Sequence, residues 1–304
     1  MNERERFRRT MQFQSVDRVP NYEFSLLKGT AERWHNEGLP SGVDWREYFE
    51  MSEDFRFAPY RADAPNIGMI PPFKDKVIEE TDRYVISIGK DGIKSKNLKT
   101  SSEEFMPQWI EYPVKNRQDF EKLKQRYDAK TPGRYPVPEL WQKKVEAWRK
   151  RDYQLRPPSG YGAYSTLRRW LGTENLSLAF YDQPRLIQEM IDFLSDFLTE
   201  VLQKAVGEVD FDSSLFSEDF AFKGAPLVSP ECFRQFLLPF YARVIPFLSS
   251  HGINIFNVDS DGNFDVLIPL LLEGGVTGIW PLEQASGPEM NPVALRKKYG
   301  SDLV

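Results

Sequence analysis

The chain has 304 residues, 40% hydrophobic and 14% aromatic, enough to bury a large core as one big barrel domain or as two ordinary domains. A formal charge of -5 and the lack of a basic stripe argue against a nucleic-acid partner, and no segment approaches the ~18 uninterrupted apolar residues of a membrane span. The single cysteine, Cys232, excludes an intramolecular disulfide and any multi-cysteine metal or iron–sulfur site, so cytoplasm is the expected compartment.

The charged opening, Met1 to Arg9, lacks the apolar core of a signal peptide and reads as an amphipathic helix through about Gln12. A turn at Ser15–Arg18, a short strand at Val19–Phe24 and a helix from about Leu26 to Asn36 follow, the last stopped by Gly38 and Pro40. Between Thr81 and Thr100 the pattern changes. Tyr84–Ile88 and Ile93–Leu98 flank Lys90-Asp91-Gly92, and the Asp-Gly pair predicts an antiparallel hairpin as an excursion from the main fold.

From Asn116 onward helices and strands alternate. Helices are expected at Arg117–Tyr127, Glu139–Lys150, Glu174–Tyr181, Pro184–Val206, Pro230–Ser250, Asp265–Glu273 and Asn291–Tyr299. Strands are expected at Tyr153–Arg156 and in the runs ending at Asp219, Asp259 and Trp280. Alternation favours a parallel sheet, and the absence of a glycine-rich dinucleotide or phosphate loop favours a (β/α)8 TIM barrel over a doubly wound sheet. About six strands are legible and another begins at Ser301–Val304, so the expectation is one barrel domain over residues 1–304 that lacks its closing strand or strands.

Three successive strand ends carry acid. The apolar run Gly252–Val258 ends in Asp259-Ser260-Asp261-Gly262-Asn263, the run from Phe211 ends in Ser217-Glu218-Asp219, and Val276–Trp280 runs on to Glu283. Ionisable groups at the ends of buried strands cost desolvation unless paired, and in a barrel those ends build the active site. The alternative use of Asp259 and Asp261, second to a site role, is to cap the next helix or shape its turn. In an extended strand Glu218 and Asp219 point to opposite faces, so one of them faces the mouth and the other pairs with an arginine. Tyr161 and Tyr164, in or after the Gly160–Gly162 loop, reach the pocket or pack on the surface; Arg168 and Arg169 follow on a helical segment, one to bind an anionic group and the other solvated. Cys232 is expected to be a small buried residue.

Together, Arg4–Phe7, Val16–Pro20, Gly172–Leu176, Ser217–Asp219, Pro226–Pro230, Asp259–Gly262 and Leu295–Gly300 resemble the superfamily of uroporphyrinogen decarboxylases and cobalamin-dependent methyltransferases. The resemblance spans almost the whole chain and implies the same (β/α)8 barrel. Porphyrinogen decarboxylases carry an arginine-rich signature after the first strand; here the region Tyr22–Thr30 holds an acid and no arginine, poor chemistry for a polyanion. Coenzyme M methyltransferases carry a His-x-Cys zinc motif where this chain has Asp259 and Asp261, so thiolate activation by zinc is not expected.

What the resemblance implies is a methyltransferase that moves a methyl group between a small methylated donor and a corrinoid (cobalamin) carried on a partner protein. Asp259, Asp261 and Glu218 would be catalytic, or would hold a divalent metal such as zinc if one is bound. Asp219, Tyr161, Tyr164, Arg168, Asn263, Trp280 and Glu283 would line the substrate site. The alternatives are a decarboxylase of a tetrapyrrole or other carboxylated substrate, and a non-catalytic barrel that binds a corrinoid protein or metabolite. A homodimer is left open.

Overall fold

A computed structural model describes residues 1–21, 26, 28–51, 61–99, 106–158 and 162–304. The chain divides into two compact units, one of residues 1–59 with 72–112 and one of residues 60–71 with 113–304.

The first unit opens with helix α1 (Glu3–Met11), started by Asn2, whose side-chain oxygen accepts the Glu5 amide, and finished with Arg8 and Arg9 in the last turn, both favourable to the helix dipole. Arg6, buried on α1, donates to both carboxylate oxygens of Asp17 at 2.8 and 2.9 Å and pairs with Glu3, which also takes Arg18 at 2.9 Å. This network ties the Val16–Arg18 turn to the helix. Helices α2 (Lys28–Glu37) and α3 (Trp45–Tyr48) follow; of the expected strand Val19–Phe24, residues 22–24 lie outside the described residues.

The predicted hairpin is present and larger than its sequence signal. Strands β2 (Tyr84–Ile88) and β3 (Lys94–Leu98) pair antiparallel across Lys90–Gly92, with Gly92 at φ 79°. They are joined by β1 (Lys76–Glu80) and β4 (Gln108–Glu111) into an antiparallel sheet of order β1-β2-β3-β4. Both outer strands are short and exposed, each with only two apolar residues, adjacent to one another, between charged or polar ends, so period-2 patterning does not reveal them.

The second unit contains α4 (Arg117–Lys124), α5 (Pro138–Arg149), α6 (Ala163–Leu171), α7 (Thr173–Asp182) and the long α8 (Pro184–Glu208). A parallel three-stranded sheet, β5 (Ser214–Ser217), β6 (Phe256–Asp259) and β7 (Gly278–Trp280), comes next in order β5-β6-β7. Its connections are helical: α9 (Pro230–Cys232), a π turn at Phe233–Leu237 and α10 (Leu238–Ser249) join β5 to β6, and α11 (Ile268–Glu273) joins β6 to β7. Helix α12 (Pro292–Tyr299) follows. Phe216 of β5 packs edge-on against Phe240 and Tyr241 of α10, so one face of the sheet is closed by aromatic rings.

Single hydrogen bonds extend this sheet on both sides. The Ala62 amide donates to Arg156, the Asp212 amide to Leu155, and on the other edge the Val304 amide donates to Thr277 while Ile279 donates to Val304. The expected strand Tyr153–Arg156 is therefore reduced to one parallel bridge, Arg156 with Arg61, because Pro157 and Pro158 directly after it have no amide hydrogen to carry a ladder further. The described residues thus show a mixed α/β fold with three parallel strands and bridged flanks; an eight-stranded closed barrel is not seen among them. No helix among the described residues is long and apolar enough to cross a membrane.

Candidate functional site

The carboxyl ends of β5, β6 and β7 bring the expected acids to one end of the sheet. Asp259, last in β6, is half-buried and accepts the Ser217 hydroxyl at 3.3 Å from the facing position of β5. Its pKa is pushed up to about 6, first by burial, then by the neighbouring charge of Asp219 and, less strongly, Asp261, against the pull of the Ser217 hydroxyl and of Arg156. Asp261 is exposed, and its pKa is raised by partial burial and by the charges of Glu283 and Asp219.

Asp219 and Arg168 form a second pair at this end. Arg168 donates to the Asp219 backbone carbonyl and to its carboxylate, both at 3.0 Å, and Asp219 holds a left-handed backbone conformation, φ 47°. Few residues without a glycine's freedom rest there. Arg168 is thereby committed to an acid of its own chain rather than offered to an anionic substrate, while Arg169 is exposed.

Glu218 donates its amide to the Asp259 carbonyl at 2.8 Å, but its carboxylate has other partners. It is fully buried, its oxygens accept the Ala163, Tyr164 and Ser165 amides at 2.8, 2.8 and 3.2 Å, and it also receives the Tyr241 hydroxyl. Those three amides are orphan donors of the first turn of α6, so Glu218 caps that helix from just past the end of β5. Burial pushes its pKa up to about 7 against the four donors. With its oxygens so engaged, Glu218 does not join Asp259 and Asp261 around a metal; among the described residues no three His, Cys, Asp or Glu side chains are grouped to hold one. Glu218 is thus turned to α6 just past the end of β5, while Asp219, in its left-handed conformation, is the one of the two that pairs with an arginine.

The remaining expected residues divide between the site and its scaffold. Tyr164 is buried, its hydroxyl without a hydrogen-bond partner among the described residues and its pKa pushed up to about 12 by burial; Tyr161 lies outside the described residues. Glu283 accepts the Gly262 amide and the Ser286 hydroxyl, both at 2.9 Å, and Asn263 accepts the Asp265 amide and donates to Glu289, so both fix the loop after β6. Trp280 is half-buried at the end of β7, opposite Asp259 in register, and its carbonyl accepts the Ser260 amide. Cys232 is buried.

The sequence did not single out Ser217, Arg156, Tyr241 or the role of Gly162. Gly162 has a legible signal in the Gly160–Gly162 loop, since a Cβ there would lie 2.3 Å from the Glu218 carboxylate and the Ser217 carbonyl. Tyr241 has none, because it reaches Glu218 from a helix 23 positions further on.

No protein-family model matches this chain, and no curated protein matches it. Among solved structures it is similar to a methyltransferase from Methanosarcina mazei, with 14% identity, a TM-score of 0.56, and coverage of 100% of this chain and 81% of that one. At that identity the likeness carries the fold alone.

Proposed function

We propose that this chain is a cytoplasmic methyltransferase of the corrinoid-linked kind, built on a (β/α)8 barrel of which the parallel strands and bridges at residues 61, 156, 214–217, 256–259, 278–280 and 304 are successive members. The observation that carries the reading is Asp259, a carboxyl at the carboxyl end of a parallel strand, flanked by Ser217 and Trp280 in register, in a fold like that of a methyltransferase. A corrinoid brought by a partner protein would supply the nucleophile that takes the methyl group.

The protein's own residues then deal with the leaving group. Asp259, whose proton is held up to about pH 6, donates it to the oxygen or nitrogen that keeps the electron pair of the broken bond to methyl. The resulting carboxylate is reprotonated from solvent. Trp280 forms an aromatic wall beside it, and the acids Asp219 and Asp261 disfavour a substrate that carries negative charge. The decarboxylase reading requires cationic side chains for a carboxylated substrate; Arg168 is engaged by Asp219, so acid predominates here.

The test mixes the purified protein with cob(I)alamin and a panel of methoxylated and methylamine compounds and follows corrinoid absorbance. Donor-dependent formation of methylcobalamin that Asp259→Asn abolishes supports the reading. No conversion beside a working control enzyme overturns it in favour of decarboxylation or of binding without turnover.

A further inference from the structure

The face of the parallel sheet turned away from α10 carries a polar side chain that the fold leaves unused. Phe216 and Val258 are register partners, and Phe216 packs on α10, so the opposite face belongs to Leu215 and Ser217 of β5, Asn257 and Asp259 of β6, and Gly278 and Trp280 of β7. Burial agrees with that division: Phe256 and Val258 are buried, while Asn257 and Asp259 are half-buried. Two layers result. Ser217, Asp259 and Trp280 lie level at the strand ends, and Leu215, Asn257 and Gly278 lie level one pleat deeper, about 6.6 Å along the strand.

Asn257 has no hydrogen-bond partner for its amide among the described residues, although it is half-withdrawn from solvent. Its Oδ1 would stand 2.1 Å from a Cβ built on Gly278, so a side chain there would turn the amide out of its place across β7. A side chain both donor and acceptor, kept on the same face as Asp259 at the expense of a side chain next door, is poorly explained by packing.

We propose that Asn257 is a substrate-binding residue, reading a neutral hydrogen-bonding group, a hydroxyl or an amide, that the substrate carries remote from the atom Asp259 protonates, with Gly278 as the residue that makes room for it. This rests on the reading of Asp259 given above. It narrows the donor to a molecule with two polar groups separated by an apolar spacer that Leu215 faces, rather than a one-carbon alcohol or simple amine.

The experiment compares 4-methoxyphenol with 4-methylanisole, which differ in a hydroxyl against a methyl group, by ligand-observed NMR on the full chain. The wild type is expected to bind the phenol about tenfold more tightly, the worth of one hydrogen bond. Asn257→Leu is expected to erase that preference while Asn257→Asp, of the same shape, keeps the fold and changes it. Gly278→Ala, which drives a methyl group into the amide, is expected to erase it too. Equal binding of the two compounds by the wild type, binding of neither, or a preference unchanged in Asn257→Leu overturns the assignment. Because the readout needs no turnover, a preference that depends on Asn257 in a protein that transfers no methyl group leaves this inference standing and sinks the proposed reaction instead.

Discussion

Arg168 holds Asp219 at two points, carbonyl and carboxylate, and so fixes a left-handed aspartate beside Asp259. The like charge of Asp219 is the second cause, after burial, of the raised Asp259 pKa of about 6. Asn tolerates the left-handed region and keeps the shape, so Asp219→Asn removes the charge without moving the loop. The Asp259 pKa is expected to fall below about 6, read directly by carboxyl carbon NMR, and the alkaline limb of any transfer activity moves to lower pH with it. An Asp259 titration unchanged in Asp219→Asn refutes the coupling.

The Glu218 carboxylate and Gly162 are fitted to each other with no room for a methyl group. Gly162→Ala must push the start of α6 off the end of β5, breaking the three amide contacts at once. The expected loss is more than about 3 kcal/mol, because buried donors left unmade cost about 1–3 kcal/mol each. Glu218→Gln keeps an acceptor oxygen and is expected to cost less than Glu218→Ala. Urea denaturation ranks the three variants; Gly162→Ala unfolding with the wild type would remove the proposed role of this contact.

Glu218 also gives stability a pH dependence whose sign is fixed by its direction of shift. Its folded pKa, about 7, lies above the ordinary 4.5, so the native state binds more protons than the unfolded chain between those values. This contribution is fully present below about pH 4.5 and is lost as pH rises through 7, in the same direction as that of Asp259, raised to about 6. For a fully buried group the span is on the order of 3 kcal/mol. Melting temperature measured from pH 5 to 8 is expected to fall more steeply in the wild type than in Glu218→Gln. Parallel curves would show that the four donors keep Glu218 ionised throughout.

Patterning made most of the scaffold legible. The hairpin at Lys90–Gly92 follows from an Asp-Gly pair between alternating strands, and α8, expected at Pro184–Val206 and found at Pro184–Glu208, follows from a long apolar stripe begun by proline. Short-range signals failed where pairing partners are remote. Strands β1 and β4 exist because β2 and β3 template them, and the bridge between Arg61 and Arg156 joins segments that no local pattern connects. At the candidate site, acid at strand ends pointed to Asp259 and Asp261, but sequence does not say which of the adjacent Glu218 and Asp219 turns inward. That was decided by the free amides of α6, which needed a carboxylate. Asn263 and Glu283 hold the loop after β6 through their own hydrogen bonds.

The loop after β6 depends on a glycine for two reasons together. Gly262 sits at φ 89°, and a Cβ there would fall 2.6 Å from the Phe222 carbonyl oxygen, which itself accepts the Asn263 amide at 3.0 Å. Gly262→Ala therefore meets both a left-handed backbone and an immovable neighbour, and the loop that carries Asp261 must lift from Phe222. Strain of this kind costs of order 1–3 kcal/mol, so the variant is expected to fold with a lower melting temperature.

At the far end of β5, Arg151 and Asp212 form an ion pair with both side chains fully buried, 2.8 Å apart. The same Asp212 oxygen accepts the Leu155 amide at 2.8 Å, and Arg151 donates to the Trp148 and Asp210 carbonyls. The pair thus joins the segment before Arg156 to the start of β5, holding in line two neighbours of the parallel series. Asp212→Ala strips a buried guanidinium of this carboxylate and leaves the Leu155 amide without its acceptor, at an expected cost of roughly 3–5 kcal/mol. Replacing both, as in Arg151→Met with Asp212→Leu, removes the stranded charge, so the double variant is expected to be more stable than Asp212→Ala alone. Urea denaturation of Arg151→Met, of Asp212→Leu and of the two together closes the cycle. Effects that add to within about 0.5 kcal/mol would mean that the two residues act independently, and the strand-joining role would pass to the backbone bond between Asp212 and Leu155 alone.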